Sequence, residues 1–280
     1  MKKLVYLSIA VFATTFFISC TNDSLEISNE KFPSSQVNRV GTDALGTGSQ
    51  VVDLYVVAGQ SNALGWLSRG YSFPAYNNYR VRLAPSFVTG MQFRGWKSLS
   101  RDSQNGYFGP EMDLGIIKSG QGRNVAILKH GIGSTGMNYW TGGVNGLTNA
   151  MKAAANDLRA QGHTVRVSGV AWIQGEEDSM YQNTANAYAG KLSIVLGKIK
   201  STAKSINQTN GFGNITRYVI GFNENCPAPY SQTVSTAQKN YAAANSNSWL
   251  SFGNLPLSND MLHFTAFGIR KQGQMIASRL

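Results

Sequence analysis

The feature of this sequence that most limits its fold is an apolar run over residues 51–58, which stops abruptly at Gly59-Gln60-Ser61-Asn62. β-Branched residues dominate the run and few charges interrupt it, as expected of a strand that is buried on both faces of a parallel sheet. Gly59 permits a sharp turn after the strand. We therefore expect Ser61 at the strand's carboxyl end, the edge where open α/β sheets place their ligands.

Strand and helix signals alternate along the rest of the chain. Apolar runs predict further strands at 124–129, 165–173, 217–222 and 249–252, and helical spacing predicts helices at 111–120, 147–158, 188–199, 231–245 and 265–279. This alternation predicts an α/β fold with a central parallel sheet and helices on both faces. Residues 63–110 show no strong period, and we expect them to form an irregular wall of a cleft.

A serine in a turn is by itself weak evidence of chemistry, because serine is common in turns and helix caps. Two later segments supply what a nucleophilic serine needs. Asp260-Met261-Leu262-His263 precedes the last helix, and Gln174-Gly175-Glu176-Glu177-Asp178 ends the strand at 165–173. The residues predict a serine nucleophile, Ser61, with His263 as its base and Asp260 fixing the histidine tautomer.

Acyl transfer also needs hydrogen-bond donors that face the developing oxyanion. Our candidates are the backbone N–H groups of Ser61 and Gly133 and the side-chain amide of Gln174. For Gln174 the alternative is a buried amide whose hydrogen bonds are satisfied by backbone groups.

Four segments in this order resemble the conserved blocks of SGNH hydrolases, and more narrowly the branch of sialate O-acetylesterases and acetylxylan esterases. They are Gly59-Gln60-Ser61-Asn62, Gly133-Ser134-Thr135, the segment 174–178 and the segment 260–263. The resemblance implies a flavodoxin-like three-layer α/β/α domain, a Ser61, Asp260 and His263 triad, and an oxyanion hole of Ser61, Gly133 and Gln174. It also implies no metal and no organic cofactor. Ser134 departs from the family, which usually has a second glycine there.

Further polar and aromatic residues near these segments are candidates for substrate contacts or for support of the site: Gln60, Asn62, Trp66, Trp140, Glu176 and Asp178. Glu176 and Asp178 would orient Gln174 or His263, bind substrate hydroxyls, or cap the next helix. Trp140, with Tyr139 and Trp66, would form an apolar platform for the face of a sugar. The spacing of the histidines and cysteines suggests no zinc site, and we expect His130 and His163 to be structural or exposed.

The N-terminus has the pattern of a secretory leader. Residues 1–19 begin with Lys2-Lys3 and continue as an apolar run that is too short for a stable transmembrane helix. The segment 17–20, Phe-Ile-Ser-Cys, resembles a bacterial lipobox, although Phe17 stands where leucine is usual. We expect a lipid-anchored protein of the cell envelope, on its periplasmic or surface face, with Cys20 lipidated. The alternative is an ordinary leader with an incidental cysteine.

Residues 20–49 are rich in Ser, Asn, Thr and Gly, which predicts a flexible tether, and residues 50–280 then form one esterase domain. Cys226 is expected to be a buried small residue without chemistry. The net charge is +11, yet Lys191, Lys198, Lys200 and Lys204 flank the apolar stripe of one predicted helix. We therefore expect a solvated helix face and no nucleic-acid partner.

The triad residues predict a serine esterase that acts through an acyl-enzyme, and the resemblance implies that it removes O-acetyl groups from a carbohydrate, such as sialic acid or xylan. One alternative is an esterase or thioesterase for acyl chains, which would share the triad; the polar and aromatic residues of 63–110 argue against a long acyl groove. The other is a glycan-binding surface lipoprotein without turnover. A complete triad argues against it, because binding needs none.

Overall fold

The computed structural model describes residues 49–68, 71, 80–87, 93–100, 104 and 106–280, and only the backbone of 85–87. The strands in this part of the chain are β1 (Val51–Gly59), β2 (Val81–Phe87), β3 (Lys97–Ser98), β4 (Asn124–Gly131), β5 (Thr164–Ile173), β6 (Arg217–Phe222) and β7 (Ser248–Ser251). They form one sheet in the order β3-β2-β4-β1-β5-β6-β7. All neighbours are parallel except β2 and β3, which are antiparallel.

Helices cover both faces of this sheet. They are α1 (Ser61–Leu64), α2 (Glu111–Gly120), α3 (Met137–Ala160), α4 (Gln182–Thr209), α5 (Ser231–Ala244) and α6 (Ala266–Arg279). The helices α3, α4 and α5 pack on one face, whereas α2 and α6 pack on the other. The predicted three-layer α/β/α fold is therefore confirmed. None of the described helices combines the length and apolar character needed to cross a membrane.

The central strand β1 divides the core into two halves. Leu54 and Val56 point into the core under α3 and α4, and Tyr55 and Val57 point into the core under α2 and α6. All four side chains are fully buried. Because β1 lies between β4 and β5, the strand order reverses on its two sides, which opens a crevice at the carboxyl ends of these strands.

The helix predicted at 188–199 is longer at both ends, and the structure differs from the sequence-based expectation in two further places. Residues 63–110 contain the strands β2 and β3, where we expected no regular structure. Pro85 and Arg82 interrupt the apolar pattern of β2, whose outer neighbour is the two-residue β3. The helix α3 begins at Met137, ten residues before the predicted start, because Gly142, Gly143 and Gly146 weaken the helical signal of its first turns.

Candidate active site

Ser61 lies in the turn that joins β1 to α1. Gly59 has a φ of +142°, and a Cβ there would lie 1.8 Å from the carbonyl oxygen of Ile173 on β5. Only glycine fits this approach. The N–H of Gln60 then donates to the same carbonyl at 3.0 Å, so the turn is fixed against β5. The side chain of Ser61 is consequently held at the crevice between the two strands.

A turn before α6 brings the predicted histidine to this serine. Nε2 of His263 lies 2.9 Å from Oγ of Ser61, and Nδ1 lies 2.7 Å from Oδ2 of Asp260. The three side chains thus form one hydrogen-bonded chain across 202 residues of sequence. This is the geometry in which a histidine removes the proton of a serine hydroxyl while a carboxylate fixes its tautomer.

Several N–H and O–H groups hold Asp260 in place. Its Oδ1 accepts hydrogen bonds from the backbone N–H groups of Leu262 and His263, both at 2.9 Å, and from the hydroxyl of Ser258. Partial burial raises the pKa of the Asp260 carboxyl, but these hydrogen bonds outweigh it and lower the pKa to about 2. The carboxylate is therefore charged throughout the pH range in which an imidazole can act as a base.

The loop between β4 and α3 passes beside the serine. The N–H of Ile132 donates to the carbonyl of Gly59 at 3.0 Å, which ties the loop to the serine turn. Thr135 closes the loop by donating to the Ile132 carbonyl at 2.7 Å. Within the described residues, the backbone N–H groups of Ser61 and Gly133 have no acceptor. They remain our candidates for binding an oxyanion.

Gln174 requires a correction to its predicted direct role in the oxyanion hole. Its side chain is fully buried, and Nε2 donates to Oδ2 of Asp178 at 2.7 Å and to the carbonyl of Thr135 at 3.2 Å. A primary amide has only two N–H groups, so this conformation leaves none for an oxyanion. Gln174 instead supports the loop that carries Gly133. Gln60 is also buried, and its Oε1 lies 3.3 Å from Nε2 of Gln174.

Asn62 links the serine turn to the histidine turn. Its Oδ1 accepts from the N–H of Phe264 at 3.2 Å, and its Nδ2 donates to the carbonyl of Leu262 at 3.2 Å. These two bonds lie on either side of His263. Nδ2 also donates to Oε1 of Glu176 at 2.7 Å. Asn62 and Glu176 are both buried, so they support the site and do not face a substrate.

Asn223 is part of this support and was missed in the sequence. Its N–H donates to Oε1 of Glu176 at 3.3 Å, and its Nδ2 lies 3.3 Å from the carbonyl of Leu262. The residue follows β6 directly. The rule that identified the other segments, a polar residue at the carboxyl end of a parallel strand, could have identified it as well.

Asp178 joins the loop after β5 to the start of α3. Its two carboxylate oxygens accept from the N–H of Met137 at 2.9 and 3.1 Å. Burial raises the pKa of Asp178, and the donors Gln174 and Met137 oppose that rise. Asp178 therefore caps α3, whereas the sequence suggested the next helix, and it is too buried to bind a sugar hydroxyl.

The aromatic residues predicted to face a sugar divide into two groups. Trp66 is 48% exposed and stacks on Tyr107, with ring centroids 5.7 Å apart and nearly parallel planes. Tyr139 is 41% exposed in the first turn of α3. Trp140 is fully buried, contacts Trp172 edge to face and donates from Nε1 to Thr135. The prediction that Trp140 faces substrate is therefore wrong, because it belongs to the core beneath the loop.

Three further sequence-based expectations concern metal binding, Cys226 and the N-terminal segment. Among the described residues, no group of three or more His, Cys, Asp or Glu side chains is placed to hold a metal ion. Cys226 is buried as predicted, and burial raises the pKa of its thiol to about 11. Cys20, the leader and most of the tether lie outside the described residues. Their roles stay predictions.

Known proteins share this fold. A protein from Arabidopsis thaliana is similar over 82% of this chain and 97% of its own, with a TM-score of 0.64 and 15% identity. NanS is similar over 83% of this chain and 96% of its own, with a TM-score of 0.60 and 12% identity. XAC1771, a carbohydrate acetylesterase from Xanthomonas citri, has a TM-score of 0.56 and 16% identity over 80% of this chain and 55% of its own. No curated protein sequence matches significantly.

A family model settles the relationship that these distant structures leave open. The model for carbohydrate esterases described as sialic acid-specific acetylesterases matches residues 51–280. The match covers the whole sheet, the serine turn and the histidine turn. This chain therefore belongs to the family of sialic acid-specific carbohydrate acetylesterases.

Proposed function

We propose that this protein removes O-acetyl groups from a carbohydrate, with Ser61 as the nucleophile. The observation that carries the proposal is the hydrogen-bonded chain from Ser61 through His263 to Asp260 at the crevice of the sheet. Membership of the carbohydrate esterase family supports an ester of a sugar as the substrate.

The reaction follows from the geometry. Nε2 of His263 removes the proton of Ser61 as Oγ attacks the acetyl carbonyl, and the imidazolium then gives this proton to the departing sugar oxygen. The products of this step are the free sugar hydroxyl and an acetyl ester on Ser61. A water molecule, deprotonated by the same imidazole, releases acetate and restores the serine. Asp260 stays ionised and stabilises the imidazolium in both halves of the reaction.

The oxyanion would be bound by the backbone N–H groups of Ser61 and Gly133. Ser61 and Gly133 each lie in one of the two segments that the hydrogen bond between the N–H of Ile132 and the carbonyl of Gly59 joins. A donor of this kind contributes about 3 kcal/mol to stabilisation of the transition state.

The test is acetate release from O-acetylated sialic acid, acetylated xylan and a small aryl acetate. Wild type is compared with Ser61→Ala at equal folded concentration. We expect wild type to act on at least one acetylated glycan and the variant to lose about 10⁴-fold or more of kcat. Equal release from both proteins would refute the proposal and leave a glycan-binding protein without turnover.

A series of aryl esters with acyl chains of increasing length distinguishes the acetylesterase from an esterase for acyl chains. We expect kcat/KM to be highest for acetate and to fall as the chain lengthens. A rise with chain length would favour the alternative activity. The support for the acetyl preference is the family to which the chain belongs.

We also propose that the protein is anchored in the bacterial cell envelope, on its periplasmic or surface face, through a lipid on Cys20. The support is the leader pattern of residues 1–19 and the segment 17–20. Expression of the full chain and of Cys20→Ser tests this. We expect wild type to enter the detergent phase of a Triton X-114 extraction and the variant to stay in the aqueous phase. Equal partition would contradict the anchor.

A further inference from the structure

Three acidic residues follow β5 in succession, and their environments differ sharply. Glu176 and Asp178 are buried, with 2% and 1% exposure, whereas Glu177 between them is partly exposed. Burying a carboxylate is costly unless hydrogen bonds compensate for the lost water. Each buried acid must therefore have a structural reason, and the two acids turn out to have different partners.

Glu176 is directed toward the histidine turn. Its Oε1 accepts from Nδ2 of Asn62 and from the backbone N–H of Asn223. Both asparagines in turn hold the carbonyl of Leu262, the residue before His263. Glu176 is thus the common acceptor of the two asparagines that fix the histidine turn, through the side chain of Asn62 and the backbone N–H of Asn223.

Asp178 is directed toward the loop that carries Gly133. It accepts from the amide of Gln174, which also holds the carbonyl of Thr135, and from the N–H of Met137 at the start of α3. A Cβ on Gly136 would lie 3.2 Å from this carboxylate, so the loop closely approaches it. Asp178 therefore fixes the end of the loop between β4 and α3.

We propose that the loop after β5 positions the two halves of the catalytic site separately, with Glu176 supporting the acid–base turn and Asp178 supporting the oxyanion loop. Neither residue touches the substrate, so both are positioning residues. The inference rests on the proposed esterase function of Ser61. It assigns to each acid one step of the reaction, proton transfer for Glu176 and stabilisation of the oxyanion for Asp178.

The surroundings of Glu176 indicate that its charge matters as well as its hydrogen bonds. Oε1 accepts two N–H groups, and within the described residues Oε2 has no partner to accept a carboxyl proton. Burial raises the pKa of Glu176, while the donors Asn62 and Asn223 and a charged His263 oppose the rise. In its ionised form, Glu176 attracts a charged His263 and so stabilises the imidazolium that forms during acyl transfer.

Several described groups lie in the same neighbourhood: the Asp178 carboxylate shares Tyr188 as a neighbour with Glu176, and the Glu224 carboxylate shares Cys226. The Cys226 thiol and the Tyr188 phenol both lie near Glu176, and burial raises the pKa of each, so both are neutral near pH 7. His263 itself faces Ser61 on α1 and Asp260 on its own turn. We therefore expect removal of the Glu176 charge to act mainly on the imidazole of His263.

The experiment compares Glu176→Gln, Asp178→Asn and Glu177→Gln in pH profiles of kcat and KM on an aryl acetate. Each variant replaces a carboxylate by the amide of the same shape, and Glu177→Gln is the matched control because it changes the acid between the two. Thermal unfolding confirms that the rates refer to folded protein. Wild type and Ser61→Ala are run in parallel.

We expect Glu176→Gln to lower kcat/KM roughly 10- to 100-fold and to move the acidic limb of its pH profile to lower pH. Asp178→Asn should lower kcat about tenfold with KM and the acidic limb unchanged, since oxyanion contacts form only in the transition state. Glu177→Gln should match wild type. If Glu176→Gln fails to fold, Glu176→Asp, which keeps the charge but shifts the carboxylate, should lose activity without moving the limb.

Identical profiles for Glu176→Gln and Asp178→Asn would overturn the inference, as would an equal effect of Glu177→Gln. So would a shift of the acidic limb in Glu176→Asp. These results differ from failure of the proposed function itself, in which wild type would release no more acetate than Ser61→Ala.

Discussion

Ser134 has a backbone conformation that L-residues seldom adopt. Its φ is +53°, in the left-handed region, and the side chain is exposed in the loop that carries Gly133. This conformation costs a non-glycine residue roughly 1–2 kcal/mol. The position at which the sequence departs from its family is thus one where glycine would be the relaxed choice, which indicates that strain is kept close to the reaction centre.

Ser134→Gly should raise the free energy of unfolding by about 0.5–1 kcal/mol, because relief of strain exceeds the added entropy of the unfolded chain. It should also lower kcat about two- to fivefold, since the loop loses rigidity. Ser246 also has a φ of +53° and is exposed, but it follows α5, outside the active-site turns. Ser246→Gly should therefore stabilise equally and leave kcat unchanged. Urea unfolding and aryl acetate kinetics on both variants check this, and equal kinetics would contradict it.

His130 determines part of the acid sensitivity of the fold. It is 1% exposed, it packs on Trp140, and neither ring nitrogen has a partner among the described residues. Burial lowers the pKa of His130 to about 4 from 6.5. The unfolded chain therefore binds more protons than the native protein between these values, and stability falls as the pH is lowered through this window.

We expect protonation of His130 to lower the unfolding free energy of wild type by about 3 kcal/mol as the pH falls from 6.5 to 4. His130→Phe keeps a planar ring and removes the titration, so its unfolding free energy should fall less over the same window. Urea unfolding at a series of pH values measures both curves. Parallel curves would show that His130 does not titrate as the structure indicates.

At the scale of elements, a buried ion pair joins β4 to α2. Nζ of Lys129 lies 3.1 Å from Oε1 of Glu111 and 2.6 Å from Oε1 of Gln104, and both charged side chains are at most 1% exposed. Oε1 of Glu111 also accepts from the N–H of Gly109, next to the first turn of α2. Lys129 thus supplies the cation that the buried carboxylate of Glu111 needs.

Lys129→Met should lower the free energy of unfolding by about 3–5 kcal/mol, because it leaves the Glu111 carboxylate buried without a cation. The double variant with Glu111→Gln should be more stable than Lys129→Met alone, since no unpaired charge remains. Chemical denaturation of wild type, both single variants and the double variant measures the coupling between the two charges. A double variant less stable than the single one would show that the charges are not coupled in this way.

At the scale of the whole molecule, exposed apolar side chains gather at the edge of the sheet that holds Ser61. Six of the large exposed apolar residues lie in segments at this edge: Trp66, Leu67, Tyr139, Met180, Tyr181 and Met261. Flat aromatic faces beside a nucleophile suit the apolar face of a sugar ring. Trp66 is the best placed, because its backbone N–H donates to the carbonyl of Ser61 at 3.2 Å and its ring stacks on Tyr107.

Trp66→Ala should raise KM for an acetylated oligosaccharide about tenfold and leave the KM for a small aryl acetate unchanged, because only the sugar reaches the ring. Ile194→Ala is the control, since Ile194 is 52% exposed but lies within α4, beside a groove lined by residues of α3 and α4. Steady-state kinetics on both substrates distinguish the two variants. Equal changes on both substrates would indicate a general disturbance of the site.

The sequence reveals much of this architecture, since strand ends and residue types are local patterns. Ser61, Asp260 and His263 could be named because each closes or precedes a regular element and has an unambiguous chemical type. The burial of Trp140 could not be predicted, because it depends on which face of α3 packs against the sheet. The glycines in the first turns of α3 weaken the sequence pattern that would identify this face. The role of Gln174 was predicted wrongly for a similar reason. Its residue type indicates an amide donor, but the tertiary fold determines that the amide donates to Asp178 and Thr135.

The acids Glu176 and Asp178 are buried, whereas the aromatic rim of the site, Trp66 and Tyr139, is exposed. This separation affects how the substrate preference of such an enzyme can evolve. We expect changes at buried Asp178 to weaken catalysis, whereas exposed Trp66 and Tyr139 can change at little cost in stability. Natural substitutions at these exposed positions alone should therefore be able to change which glycan the enzyme prefers. A lineage could acquire new sugars in single steps while its chemistry stays intact, and laboratory libraries confined to this rim should yield mostly folded, active catalysts.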